Sequence, residues 1–193
     1  NLGPGAPGGH TWHPNAYSPI TRLIYIPNWE NYSAMSPQVL PTDGRPPPLI
    51  AFGGRVDRAT LKPHGKQAND GWLQAWDPVA RKVVWETPKG PRATSGVLAT
   101  GGNLVFMGNS GGNQLSAYDA KTGSKLWNFD ALTAVYAAPI TYELDGEQYI
   151  AASVGGAASG DYFAPTYARM LVFKVGGDAK LPPTQPYTPR QLN

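Results

Sequence analysis

Residues 71–85 read GWLQAWDPVARKVVW, and residues 113–127 read NQLSAYDAKTGSKLW. The two stretches align without gaps at an offset of 42 residues and share Leu-x-Ala-aromatic-Asp, then seven variable residues, then Trp. A repeat of roughly 40–45 residues built from short strands is typical of the four-stranded blades of a β-propeller. The sequence therefore predicts an all-β fold, and within that class a propeller.

Short hairpins account for the chain around the repeat. Residues 97–108 and residues 139–154 each read as two strands, joined by a Gly-Gly turn and by Asp145-Gly146. An Asp-Gly pair between apolar strands is a strong hairpin signal. Residues 16–29 read as another strand pair around a turn, and residues 169–175 as a further strand.

Counting these strands predicts about three four-stranded blades of a larger ring. Closed propellers have at least about four blades, and three alone would leave two unprotected sheet edges. We therefore expect the ring to be completed by an N-terminal portion or by another chain. Whether the chain is a nicked fragment or a natural subunit stays open at this point.

The composition excludes several classes of protein. The 193 residues include 23 Gly and 20 Pro, which punctuate the chain too often for long helices, while a hydrophobic content of 41% is too high for a disordered chain. The absence of cysteine excludes disulfides and thiolate metal sites. A net charge of +3 without a basic stripe does not indicate nucleic-acid binding, and no apolar run is long enough to predict a membrane span.

The repeated residues have predictable structural roles. Asp77 and Asp119 are expected to open tight turns, because a short carboxylate accepts hydrogen bonds from nearby backbone N–H groups. Trp85 and Trp127 are expected to pack between neighbouring blades, where a large indole buries much apolar area.

Two segments depart from the blade pattern. We expect residues 1–175 to form the C-terminal part of a propeller, interrupted at about residues 30–70 by a Pro-rich excursion. Residues 176–193 are again Pro-rich and polar, which predicts a C-terminal tail or linker. The first residues contain neither a basic region nor an apolar core, so no signal peptide is visible in the chain.

Several ordered motifs together resemble one family. The repeats, with GVLATGGNLVFMGN between them and APITYELDGEQYIAASVGG after them, are similar to the C-terminal part of the PQQ-dependent (quinoprotein) alcohol dehydrogenases. The opening GGHTWHPNAYSPITRLIYIPNWENY resembles the family's Gly-Gly-x-x-Trp-x-Pro segment. The resemblance implies an eight-bladed propeller with pyrroloquinoline quinone (PQQ) near its axis and Ca²⁺, or a lanthanide, beside it.

The resemblance also implies an activity. Family members oxidise primary or secondary alcohols to aldehydes or ketones and pass the electrons to a cytochrome c-type acceptor, in the periplasm. Their catalytic Asp and metal ligands belong to the region before this segment. We therefore expect no catalytic residue and no metal ligand in this chain.

The resemblance places three candidate cofactor contacts before the second repeat. Thr11-Trp12 stands where the family commonly has Asn-Trp, whose Asn side chain lies against PQQ; a hydroxyl replaces the amide here. Many members carry Trp-Asn/Ser-Gly where this chain has residues 93–96, read as Ala-Thr-Ser-Gly. Thr94 is the candidate contact there, and the missing aromatic predicts a wider pocket for a bulkier alcohol.

A further contact is implied after the strand that ends near residue 154. The family often has Gly-Gly-Trp where this chain has Gly155-Gly156-Ala157. Gly156 and Ala157 are therefore candidate cofactor-binding residues, with the backbone N–H of Ala157 available to a PQQ carboxylate.

Two alternatives accompany this interpretation. A quinoprotein-like propeller without cofactor would act as a protein-binding scaffold, and the departures at Thr11, Ala93 and Ala157 favour it. His10 and His13 have His-x-x-His spacing, which is compatible with metal binding, but pocket lining or loop contacts fit a Gly-rich loop without a third ligand better.

Overall fold

The computed structural model describes residues 8–30, 70–91, 95–109, 112–155 and 168–182, and the regular structure in these ranges is entirely β-strand. The first sheet contains β1 (Ala16–Ser18), β2 (Leu23–Glu30), β3 (Asp70–Asp77), β4 (Lys82–Glu86) and β5 (Gly90–Pro91). The second contains β6 (Val97–Ala99), β7 (Leu104–Asn109), β8 (Gln114–Asp119) and β9 (Lys125–Asp130). The third contains β10 (Ile140–Leu144), β11 (Glu147–Val154) and β12 (Arg169–Lys174).

Each sheet is an antiparallel meander in which sequence neighbours pair. The strand orders are β1-β2-β3-β4, β6-β7-β8-β9 and β10-β11-β12, and the two-residue β5 pairs with the start of β3. The predicted all-β propeller class is confirmed by this series of consecutive up-and-down sheets. Two sheets have the expected four strands in order, whereas the third has three within the described residues. After β12 the chain turns back at residues 175–176, and Leu181 packs against the apolar cluster shared with the second sheet instead of adding a strand.

Left-handed residues close the hairpin turns. Asp145 and Gly146 have φ values of 54° and 76°, the backbone that a two-residue type I′ turn requires. In the turn between β6 and β7 the left-handed residue is Asn103, with φ 63°, and not either member of the Gly-Gly pair. Asn tolerates this conformation better than other residues with a side chain.

The two repeated aspartates organise the turns predicted for them. Asp77 Oδ1 accepts hydrogen bonds from the backbone N–H groups of Val79 and Ala80, both at 2.9 Å. Asp119 Oδ1 does the same with Lys121 and Thr122, at 2.9 and 2.8 Å. The bonds donated by the Thr122 N–H and hydroxyl are the main cause of the lowered pKa of Asp119. Its carboxylate is therefore stabilised in the charged form.

Alternating side chains of the sheets form the core between them. Leu73 and Leu115, equivalent in the repeat, are both fully buried, the first between the first and second sheets and the second between the second and third. Full burial of such a side chain stabilises by about 1.5–3 kcal/mol. The repeated leucines therefore fill equivalent core positions at two successive sheet interfaces.

Trp85 packs on the turn of the following sheet, as predicted. Its Nε1 donates a 3.1 Å hydrogen bond to the carbonyl of Ala120, and its ring lies so close to Gly123 that a Cβ there would come within 2.5 Å of Cε3. Tyr25 contacts the same indole, with ring centroids 5.7 Å apart, and its hydroxyl donates to the same carbonyl at 2.9 Å. Burial raises the pKa of this phenol.

Trp127 lies at the equivalent place beside the third sheet but has different partners. Its ring stacks with Phe129 at 6.0 Å and meets Phe173 edge-on at 5.2 Å. The turn after β12 carries Gly176, where an added Cβ would have no described neighbour within 4 Å. The indole of Trp127 therefore packs on aromatic rings and not on a glycine turn.

The sheets have two distinct ends. We call the end where β2, β7 and β11 finish the loop end, and the opposite end, where the first two strands of each sheet are joined, the turn end. A shallow pocket at the turn end, about 150 Å³ in volume, is lined by Tyr17, Ile20, Thr100 and their neighbours. Within the described ranges no helix is long and apolar enough to span a membrane.

Candidate functional site

The segment before β1 is fastened to the loop end of the first sheet. The backbone N–H of Trp29 donates to the carbonyl of Gly9 at 3.0 Å. The Nδ1 of His10 donates to the carbonyl of Pro27 at 2.9 Å. Because both partners on the sheet are backbone groups of β2, the loop that follows is held in a fixed relation to the sheet.

This loop presents an exposed indole on a buried support. Trp12 is 69% exposed, yet its ring stacks on His13, with centroids 4.0 Å apart and planes 25° apart. His13 is only 6% exposed, and its other neighbour is Trp29, which it meets nearly edge-on at 6.1 Å. One face of Trp12 is thus covered by a fixed ring, and its opposite face is available to a planar ligand.

Thr11 has a partner inside the loop. Its hydroxyl oxygen lies 3.3 Å from Nδ1 of His13. The hydroxyl predicted to contact a cofactor is therefore within reach of the imidazole that supports Trp12. No sequence motif predicts this contact between Thr11 and His13.

The three sheets come closest where their first strands begin. The N–H of Val97 donates to the carbonyl of Pro14 at 3.0 Å, which joins the starts of β1 and β6. A Cβ on Gly96 would lie 2.5 Å from Cδ of Pro14 and 2.6 Å from Cβ of Ala138. Only glycine fits at this point, where the chain segments before β1, β6 and β10 meet.

Two further contacts tie these segments to the loop end. The hydroxyl of Ser95, which is fully buried, accepts a 2.8 Å hydrogen bond from the N–H of Gly108. The N–H of Gly155 donates to the carbonyl of Ala134 at 2.8 Å. The candidate residues Thr94, Gly156 and Ala157 lie outside the described residues, as does Ala93. Their described chain neighbours Ser95 and Gly155 are both at the loop end, the end that carries Trp12.

The two histidines of the His-x-x-His pair make loop contacts, with Pro27 and with Trp12, Thr11 and Trp29. Among the described parts of the chain there is no group of three or more His, Asp or Glu side chains that could hold a metal ion. The site as described is therefore an aromatic platform beside the meeting point of three sheets.

Comparison with known proteins identifies the family. The profile described as "Glucose/ethanol/alcohol dehydrogenase, beta-propeller domain", of the PQQ family, matches residues 57–150. Quinohemoprotein alcohol dehydrogenase ADH-IIG of Pseudomonas putida is 36% identical over 95% of the chain. The chain belongs to the quinoprotein alcohol dehydrogenase family. The lupanine 17-hydroxylase [cytochrome c] of a Pseudomonas species is 39% identical over 94% of the chain.

A solved structure agrees with this family assignment. Quinohemoprotein alcohol dehydrogenase ADHIIG from Pseudomonas putida HK5 superposes with a TM-score of 0.73 at 33% identity, covering 97% of this chain and 30% of that one. The chain spans only 28% and 26% of the lengths of the two sequence relatives named above. The predicted propeller and family are thus confirmed.

The described residues fit the cofactor of this family at one point. PQQ is a flat, fused-ring quinone, and the outer face of Trp12 is an exposed flat surface whose orientation is set from behind by His13. Aromatic rings attract each other in offset-stacked arrangements. Trp12 is therefore the described residue best suited to hold such a ring.

Proposed function

We propose that this chain forms part of a PQQ-dependent dehydrogenase that oxidises primary or secondary alcohols to aldehydes or ketones. The observation that carries the proposal is the exposed indole of Trp12, held flat on His13 at the loop end of a quinoprotein propeller segment. The match of the PQQ family profile to residues 57–150 and the position of this ring at the loop end together support a propeller that binds PQQ.

The residues of this chain bind and orient the cofactor in the proposed enzyme. PQQ, when bound, supplies the two-electron acceptor for alcohol oxidation. Trp12 would contact the cofactor, and Thr94, Gly156 and the backbone N–H of Ala157 are proposed as further, polar contacts. The general base, an Asp, and the ligands of Ca²⁺ or a lanthanide come from the rest of the propeller. A europium-containing methanol dehydrogenase, 25% identical with a TM-score of 0.54, supports a metal in this class of protein.

Two substitutions by alanine support a roomy substrate pocket. Ala93 and Ala157 stand where the family often has Trp. Replacing an indole by a methyl group removes most of the side-chain volume. We infer that bulky alcohols are accepted.

The electron acceptor is inferred from relatives. The names of the lupanine 17-hydroxylase and of the 1-butanol dehydrogenase of Thauera butanivorans both include cytochrome c. We propose a cytochrome c-type acceptor for this protein as well, and a periplasmic location, where such dehydrogenases meet their acceptors.

The outer faces of the sheet series support the presence of further blades. Leu73 and Ala75 of β3 point into the first sheet interface, so Trp72 and Gln74 point away from it. On the third sheet, the face turned away from the second sheet exposes Ile140, Tyr142, Leu144, Met170 and Val172. The exposed apolar face of the third sheet matches the requirement of a propeller for a neighbouring blade.

The proposed domain division follows from this placement. Residues 1–175 would belong to the propeller, with the excursion at about 30–70 outside the described residues. Residues 176–193 would form the tail, of which the described part begins with a turn and brings Leu181 back onto the apolar cluster of the second and third sheets.

The decisive experiment measures cofactor binding and activity together. The complete protein that carries this chain is loaded with PQQ and Ca²⁺ and assayed by dye-linked oxidation of alcohols of increasing size. Trp12→Ala should weaken PQQ binding by about tenfold, since the loss of one aromatic contact costs up to ~1.5 kcal/mol. Tyr17→Ala is the matched control, because Tyr17 is also a largely exposed aromatic but lies at the turn end.

The outcomes separate the two functions considered. PQQ binding that Trp12→Ala weakens and Tyr17→Ala leaves unchanged, together with alcohol oxidation, supports the dehydrogenase. A complete ring that binds no PQQ and oxidises no alcohol would instead be the protein-binding scaffold.

A further inference from the structure

Positively charged side chains collect at the turn end of the first and second sheets. Arg22 lies in the turn between β1 and β2, Arg81 and Lys82 close the turn between β3 and β4, Lys121 lies in the turn between β8 and β9, and Lys125 begins β9. All five are exposed, and none makes an ion pair with another described residue. The ends of two neighbouring sheets therefore present unpaired cations.

Two carboxylates offset these charges in part. Asp77 and Asp119, in the same turns, each accept hydrogen bonds from two backbone N–H groups of their own turn. The five cations and two carboxylates leave a net charge of +3 on the turn end of these two sheets. We call these seven side chains the basic sector.

The third sheet has the opposite charge at the same end. Glu143, near the end of β10, and Asp145, in the turn that follows, are exposed and make no ion pair with a described residue. Glu147 is neutralised by Lys174, whose Nζ lies 2.7 Å from its Oε2. The turn end of the third sheet therefore has a net charge of −2. We call these four side chains the acidic sector.

Exposed apolar side chains accompany the charges in both sectors. Val79, in the turn between β3 and β4, is 87% exposed, and Val175, directly after β12, is 98% exposed. Ile20, in the turn between β1 and β2, is 55% exposed and lines the shallow pocket of the turn end. A neighbouring blade of a propeller packs on the face of a sheet, whereas these turns project from its end. The neighbouring blades of a complete ring therefore do not account for this surface.

We propose that the turn end binds a second copy of the protein, with a two-fold axis that passes between the second and third sheets. Such an axis places the basic sector of each copy opposite the acidic sector of the other, so the same contact occurs twice. A partner of one charge sign would be attracted by one sector and repelled by its neighbour, whereas a second copy presents both signs. Complementary charges of this kind fix the orientation of two partners. The contact does not involve the cofactor, so it is independent of the proposed function.

Two charge-changing variants of the complete protein test this contact. Lys121→Glu combined with Lys125→Glu changes the basic sector from +3 to −1. Glu143→Lys combined with Asp145→Asn changes the acidic sector from −2 to +1, and Asn tolerates the left-handed backbone of residue 145. The dimer Kd is measured by analytical ultracentrifugation at low salt, where charge interactions are least screened. Each variant should raise it at least about tenfold, because like charges then face each other at two symmetric contacts.

An equimolar mixture of the two variants gives the sharpest result. In a mixed dimer the sector of −1 in one copy meets the sector of +1 in the other, and the unchanged sectors of +3 and −2 also meet. The mixture should therefore dimerise more tightly than either variant alone, with a Kd within about tenfold of the wild type. Glu86→Lys reverses an exposed charge at the loop end and is the matched control, which should leave the Kd within about twofold.

The remaining outcomes would overturn the inference. One is a wild-type protein that stays monomeric at about 100 μM, since a weaker contact is not specific. Another is a dimer whose Kd neither variant changes, or a mixture that dimerises no better than its components. If a monomer instead binds phosphatidylglycerol vesicles and Lys121→Glu with Lys125→Glu abolishes that binding, the basic sector serves a lipid surface and not a second copy. The PQQ titration and the alcohol assay test the proposed function separately.

Discussion

Gly123 provides a direct test of how one sheet is fastened to the next. Its φ is +73°, and a Cβ at this position would lie 2.5 Å from Cε3 and 2.7 Å from Cδ2 of Trp85. Gly123→Ala therefore meets two separate obstacles, a left-handed backbone and a collision with the indole.

The two costs can be estimated separately. A residue with a Cβ in the left-handed conformation costs about 1–2 kcal/mol. Forcing an extra carbon into a packed interface costs about 1–3 kcal/mol more. Gly176 has nearly the same φ, +75°, with no atom within 4 Å of the added Cβ, so Gly176→Ala carries only the backbone cost.

Urea denaturation of the complete protein, followed by tryptophan fluorescence, measures the free energy of unfolding of each variant. Gly123→Ala should lower it by about 2–5 kcal/mol and Gly176→Ala by about 1–2 kcal/mol. A double-mutant cycle adds Trp85→Ala, which removes the ring that the methyl group would strike. In that background Gly123→Ala should cost no more than Gly176→Ala.

Either of two results would contradict the predicted collision between the methyl group of Gly123→Ala and the ring of Trp85. One is a loss of stability for Gly123→Ala equal to that for Gly176→Ala in the wild-type background. The other is strict additivity of Gly123→Ala and Trp85→Ala, because additivity would mean that the two residues do not interact.

Two other predictions concern the same turn. Tyr25→Phe removes the buried hydroxyl that donates to Ala120, which should lower the free energy of unfolding by about 1–2 kcal/mol without a change in PQQ affinity; a calorimetric scan and a PQQ titration check both. Asp119→Asn should destabilise the protein at pH 7, because the folded state lowers the pKa of this carboxyl below its ordinary value through bonds from Thr122. The stabilisation from a lowered pKa is complete above the unfolded value of about 3.8 and is lost as the pH falls through the lower folded value, so the thermal midpoints of variant and wild type should begin to converge as the pH falls below about 3.8. A difference that does not narrow in acid contradicts this assignment.

The blade pattern was predictable because its signals are local. The Leu-x-Ala pattern alternates with a period of two and marks the buried side chains of β3, Leu73 and Ala75, whereas in β8, which lies between two sheets, both faces are buried. Asp119 and the Asp145-Gly146 pair specify turns through bonds and φ values within a few residues of themselves. Such features depend little on the rest of the fold, and the structure agrees with them.

The support of Trp12 was not predictable, for a physical reason. His13 reaches its place because the loop is tied to β2 by contacts of Gly9 and His10 with residues about twenty positions away. No periodic pattern encodes such a contact, and although loop contacts were the favoured interpretation of the His-x-x-His pair, its spacing does not say which residues His13 meets. The three strands of the third sheet were expected from residues 139–154 and 169–175, whereas the packing of Leu181 on the apolar cluster shared with the second sheet leaves no trace in the sequence of its own segment.

The contact between Trp85 and Ala120 joins residues only 35 positions apart, although it links two separate sheets. Contacts between near neighbours in the chain close at a small cost in loop entropy and favour fast folding. We expect the second sheet to be joined to the first by the indole of Trp85 as soon as the turn between β8 and β9 forms. Assembly of the ring would then follow the direction of synthesis, and its slow step would be the final closure, which alone joins segments far apart in the chain.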